Sequence, residues 1–128
     1  MKKYMRESEL ELYKVIGYKG WFHALVTQCE VGKIVEYLKL LRKEEYYIKS
    51  KGFWSFIQFS LTHRKRNKLG ILLGISIPPF TCSHNLLIYH SGSIVINRNS
   101  RIGENCSIHG DLCIGNNGIT QDAPIIGS

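Results

Sequence analysis

His90 interrupts a pattern. Ile96, Ile102, Ile108 and Ile114 recur at every sixth position, Thr120 takes the next place and Ile126 resumes the series; counted backwards, the same register puts His90 where an aliphatic residue belongs. A histidine there is either a buried, hydrogen-bonded structural residue or a proton-transfer group, since imidazole ordinarily titrates near physiological pH. Cys106, His109 and Cys113 form a second cluster, and two thiolates with an imidazole would suit zinc if they met at one point. The register argues that they do not: Cys106 falls on an inward position, His109 just past a corner and Cys113 one place before Ile114. No metal site is expected. A third feature is the basic run His63-Arg64-Lys65-Arg66-Asn67-Lys68, which follows the apolar stretch from Phe53 to Leu61. A membrane-surface or nucleic-acid patch is one reading of it. The other, which we favour, is a helix that packs Phe53, Phe56, Ile57 and Leu61 inward and leaves its basic C-terminal end wet.

The elements that must position these residues differ between the two halves of the chain. Four residues after each repeating isoleucine stand Ser100, Cys106, Leu112 and Gly118, mostly small, and Gly103, Gly115 and Gly127 directly follow three of the isoleucines. A fixed short repeat of this kind marks a solenoid, in which each unit buries its apolar face by stacking on the next. At ~18 residues per triangular coil, the segment from about Ile77 to Ser128 would make nearly three coils. Upstream the period is helical. Ile34, Val35, Leu38 and Leu41 share one face, Glu7 to Ile16 is charged and periodic with Gly17 and Gly20 closing it, Trp21 opens another apolar stripe, and Gly52 separates the long middle helix from the aromatic one. Trp21, Trp54 and the Tyr37, Tyr46, Tyr47 group read as core or interface. Pro78-Pro79 forbids a helix and marks the change of regime.

Charge follows the same division. The net charge is +7, and residues 71–128 are nearly neutral, with Arg98, Arg101, Glu104, Asp111 and Asp122 as their ionised side chains. A basic front half is compatible with anionic partners, but solvated helix faces explain it as well. Cys29, Cys82, Cys106 and Cys113 form no CxxC pair and no secretory leader is evident, so reduced thiols in a cytoplasmic protein are expected. No apolar run approaches the ~20 residues of a membrane span. No nucleic-acid module is recognisable either.

The stretch Ile88-Tyr89-His90-Ser91-Gly92-Ser93-Ile94-Val95-Ile96-Asn97 resembles the point where the hexapeptide-repeat acetyltransferases, serine acetyltransferase among them, carry a His, small residues with Gly, and an Ile-Val-Ile run. Gly74-Ile75-Ser76-Ile77-Pro78-Pro79 is similar to the entry of their repeat region, and Ile102-Gly103-Glu104-Asn105-Cys106 and Ile114-Gly115-Asn116-Asn117 to their coil corners. The resemblance covers about residues 61–128 and, more loosely, the helical front. It implies an α+β fold, with a helical region at 1–70 followed at 71–128 by a short left-handed parallel β-helix. It implies acetyl-CoA as co-substrate with no bound cofactor, His90 as general base on a hydroxyl-bearing small molecule, and a homotrimer or dimer of trimers with the acetyl-CoA groove between subunits. Gly115, Asn116, Asn117 and Gly118 would line the start of that groove, although Asn and Gly at corners are equally simple turns. His109 would face the groove or be an exposed corner.

The resemblance implies serine, or alternatively a sugar of capsule or lipopolysaccharide, as the acceptor. Where serine acetyltransferases carry an Asp before the His this chain has Tyr89, and where they carry Arg-His-Pro it has Asp122-Ala123-Pro124. Tyr89, Asp111 and Asp122 are therefore the candidate acceptor contacts. No carboxylate lies between Glu45 and Glu104, so a backbone carbonyl or Asp111 is expected to orient His90. Pro124-Ile125-Ile126-Gly127-Ser128 starts a new repeat and stops, and the β-helix is expected to be incomplete at its C-terminal end. A truncated, inactive assembly module is the reading from another class.

Overall fold

A computed structural model describes residues 7–15, 17–115 and 125–126. The side chains of Ser8 and Trp21 lie outside that description, as does that of Glu7. Among the described residues, helices α1 (Glu7–Val15), α2 (Trp21–Thr27), α3 (Glu30–Lys49) and α4 (Phe53–Leu73) precede strands β1 (Ile75–Ser76), β2 (Leu87–Ile88), β3 (Ile94–Ile96), β4 (Arg101–Ile102), β5 (Ser107–Ile108), β6 (Leu112–Ile114) and β7 (Ile125–Ile126). All strand pairs are parallel. β1, β3 and β6 form one sheet in that order, β2 pairs with β5, and β4 pairs with β7.

The expected left-handed β-helix is not what the structure shows. Among the described residues the fold is α+β, with four helices and short strands in small parallel sheets, and no solenoid is seen. The strands are two or three residues long, and the separation along the chain differs from pair to pair: Ile75 lies opposite Ile94, Leu87 opposite Ser107, Ile94 opposite Leu112 and Arg101 opposite Ile125. A solenoid requires one constant offset, because every unit repeats the contacts of the last. The six-residue period does mark the inward side chains, since Ile96, Ile102, Ile108 and Ile114 are all buried. What they pack against is a core shared with the helices, in which Tyr13, Ile34, Leu38 and Leu41 join Ile75, Ile88 and Ile94.

Helix side chains also finish the strand edges. A strand with unpaired N–H and C=O groups needs partners for them. Tyr13 Oη donates to Leu86 O and accepts from Ile88 N–H, both at 2.9 Å. Glu9 Oε1 accepts from Leu86 N–H at 3.1 Å. Tyr37 Oη accepts from Ile77 N–H at 3.1 Å, and Arg66 Nη1 donates to Ile77 O at 2.8 Å. These contacts leave β1 and β2 held by α1, α3 and α4. Burial pushes the Tyr13 hydroxyl well above the ordinary tyrosine range, which keeps it a donor.

In α3, Ile34, Val35, Leu38 and Leu41 are buried as their spacing indicates. Helix α4 departs from expectation. It runs on through the basic segment to Leu73, and Phe53, Phe56 and Leu61 are exposed, while Thr62, Arg66, Gly70 and Leu73 are buried. Arg66 is tolerated inside because Glu44 pairs with it and Tyr37 Oη accepts from it at 3.0 Å. Tyr37 is core, Tyr46 and Tyr47 are half-buried and Trp54 is exposed.

Helix α4 ends at Gly74, whose φ of 69° is the left-handed conformation that favours glycine, and its N–H bonds Gly70 O. A Cβ there would come within 3.0 Å of Ser93 N and 3.1 Å of Gly92 Cα. The glycine lets the segment carrying His90 lie against the helix end.

Candidate active site

The segment Tyr89 to Ser93 is held from several directions by its backbone. Tyr89 N–H donates to Ile108 O at 2.8 Å, Gly92 N–H to Leu73 O at 2.7 Å, and Ile94 N–H to Gly74 O at 2.9 Å, while Gly92 O accepts from Asp111 N–H at 3.2 Å. Helix α4 and the turn before β6 therefore fix the loop. His90 itself projects from it, with its side chain 71% exposed.

The partner of His90 comes from the other half of the chain. Glu30, in the first turn of α3, accepts at Oε1 from the Ser91 N–H at 2.7 Å and from the Ser91 hydroxyl at 3.0 Å. Its second oxygen, Oε2, lies 3.7 Å from His90 Nδ1. That distance is within ion-pair reach and longer than a direct hydrogen bond. Catalytic contacts are commonly this loose before substrate binds. The Ser91 N–H above all, opposed by partial burial and helped by the Ser91 hydroxyl and by His90, holds the Glu30 carboxyl below its usual range. The helix N-terminus also suits the negative charge.

The carboxylate that faces His90 Nδ1 is that of Glu30 and not that of Asp111. Asp111 is exposed and meets the loop through its backbone N–H on Gly92 O, with φ at 45°. Half-buried Tyr89 stacks on exposed His109, ring centroids 4.4 Å apart and planes within 5° of parallel, so that each ring covers one face of the other. Gly110 lies next to His90, where an added Cβ would sit 3.8 Å from His90 Cβ. Gly115 is exposed with open space around it. Asn116, Asn117, Gly118 and Asp122 lie outside the described residues.

No feature near Glu30 in sequence marks it as a partner of His90; an acid in the first turn of a helix ordinarily reads as a match to the helix dipole. Only the fold brings the two together.

Compared with protein-family models, with curated proteins and with solved structures, the chain matches none. The geometry alone must therefore carry the functional reading. Among the described residues no three His, Cys, Asp or Glu side chains are grouped to hold a metal ion, and Cys106 is half-buried while His109 and Cys113 are exposed. Among them, too, no helix is long and apolar enough to cross a membrane. A cleft of about 710 Å³ between α4 and the β1–β3 edge includes Ser93, Val95 and Arg98 in its walls and so approaches the His90 loop.

Proposed function

We propose that the chain is an acetyl-CoA-dependent O-acetyltransferase in which His90 is the general base. One observation carries the reading: an exposed imidazole whose Nδ1 faces a carboxylate that is itself pinned by Ser91. With Nδ1 turned to Glu30, Nε2 is the nitrogen left for a substrate. It takes the acceptor's hydroxyl proton as that oxygen attacks the acetyl carbonyl carbon. The Glu30 carboxylate stabilises the imidazolium that forms. Collapse of the tetrahedral intermediate breaks the C–S bond, and the imidazolium returns its proton to the departing CoA thiolate. The resemblance of residues 88–97 to the acetyltransferases, serine acetyltransferase in particular, supports the same assignment.

The acceptor is a small hydroxyl compound, serine or a sugar. A sugar of capsule or lipopolysaccharide type is the second reading, and the same His90 chemistry would serve its hydroxyl. The test is release of CoA thiol from acetyl-CoA in the presence of serine or sugars. Release that depends on His90 supports the reading, and its absence with every acceptor overturns it.

A further inference from the structure

Helix α4 is built inside out. Its buried side carries Thr62 and Arg66, whereas Phe53, Trp54 and Leu61 point to solvent, the first two 75% exposed. At 3.6 residues per turn, Trp54, Leu61, Lys65 and Lys68 fall on one side of the helix, turned away from Arg66 and the core. Arg64, Lys65 and Lys68 are exposed on the C-terminal side of Leu61, and α4 contains no Asp or Glu. Several large apolar side chains uncovered on one helix mark a surface that meets something else.

We propose that this outer face of α4 lies on an anionic lipid surface. Its charge is the reason for choosing that occupant. Three exposed cations on a helix without an acidic residue are complemented by a surface of opposite sign rather than by a second copy of a chain whose net charge is +7. An anionic leaflet instead accepts all three cations while Trp and Phe rings settle at the headgroup level. The long Lys and Arg stems keep their charges among the headgroups as the apolar groups sink. The helix lies flat on such a surface and does not cross it, in keeping with its being too polar for a span. This binding is independent of the His90 chemistry.

The experiment is co-sedimentation of the full chain with vesicles of phosphatidylcholine alone and of phosphatidylcholine mixed with phosphatidylserine. Binding is expected to the mixed vesicles only, and to weaken as salt is raised. The triple substitution Arg64→Gln, Lys65→Gln, Lys68→Gln is expected to weaken it about a hundredfold, at roughly a factor of five per cation near an anionic surface. The pair Phe53→Ser, Trp54→Ser is expected to weaken it at least about tenfold while the far-ultraviolet circular dichroism stays helical. No binding to the mixed vesicles overturns the proposal, as does equal binding to the neutral ones or binding that both variants retain. Self-association that the Phe53→Ser, Trp54→Ser variant abolishes would overturn it too, in favour of a contact between copies.

Discussion

Glu30 and His90 face each other across the joint between the helical half of the chain and the strands. The Glu30 carboxylate spends one oxygen on Ser91 and turns the other toward His90 Nδ1, 3.7 Å away. Because Ser91 follows His90 directly, the same residue that anchors the carboxylate also fixes where the imidazole leaves the backbone. The consequence is an imidazole that faces a carboxylate from a helix terminus and not one from a neighbouring strand.

Glu30→Gln tests that relationship as a positioning effect. The amide keeps the shape and can still accept from Ser91, but it removes the charge facing the imidazolium. Acetyl transfer is expected to fall about tenfold to a hundredfold, less than the ~10²–10⁴ expected for His90→Ala. The loss is expected to fall on kcat rather than on KM, because Glu30 would act through His90 and not on the substrate. Steady-state kinetics checks both the size of the loss and its place, and an unchanged kcat contradicts the assignment.

The lowered pKa of Glu30 has a stability consequence with a definite sign. A carboxyl whose folded pKa is below its unfolded value stabilises the fold above the unfolded value, and that contribution is lost as pH falls through the folded pKa. Wild type is therefore expected to melt above Glu30→Gln at neutral pH and to converge with it below the usual carboxylate range. Thermal melts at several pH values measure the gap, and a gap that widens on acidification contradicts the account.

Buried charge should dominate the packing of α4 on α3. Arg66 pairs with Glu44 and also serves Tyr37 Oη and Ile77 O. Arg66→Met leaves the Glu44 carboxylate buried with only the half-exposed His63 at 2.8 Å, and is expected to cost about 3 kcal/mol or more. Combining it with Glu44→Leu is expected to cost less than the sum of the two single changes. Urea unfolding of the three variants reads the coupling directly.

Tyr13→Phe removes the hydroxyl that stands in for a strand beside β2. Leu86 O and Ile88 N–H are then left buried without it, and a loss of about 2 kcal/mol is expected. Faster amide exchange at Ile88 would locate the loss. Unaltered exchange there would mean the hydroxyl is not what completes that edge.

The sequence makes some of this legible and conceals the rest for physical reasons. The α3 stripe and the isoleucines at 96, 102, 108 and 114 were readable because a buried face repeats with its element's period, although Ile126 of the same series is exposed. Periodicity does not say what a buried face packs against, and so the repeat suggested stacked coils where the structure has small sheets sharing a core with helices. In α4 the aromatic spacing was sound as a helix but wrong in direction, since Arg66, satisfied by Glu44 and Tyr37, takes the inward side. His90 stood out as a residue out of register. Glu30 did not, because a contact made only by tertiary folding leaves no local signal.

The most direct measurement is release of free CoA thiol from acetyl-CoA by the purified chain, offered serine and a panel of sugars, with His90→Ala beside it. The account predicts acceptor-dependent release by wild type, on serine or on a sugar, that drops by at least about a hundredfold in His90→Ala. Release equal in the two proteins, or none with any acceptor from a folded chain, would contradict it.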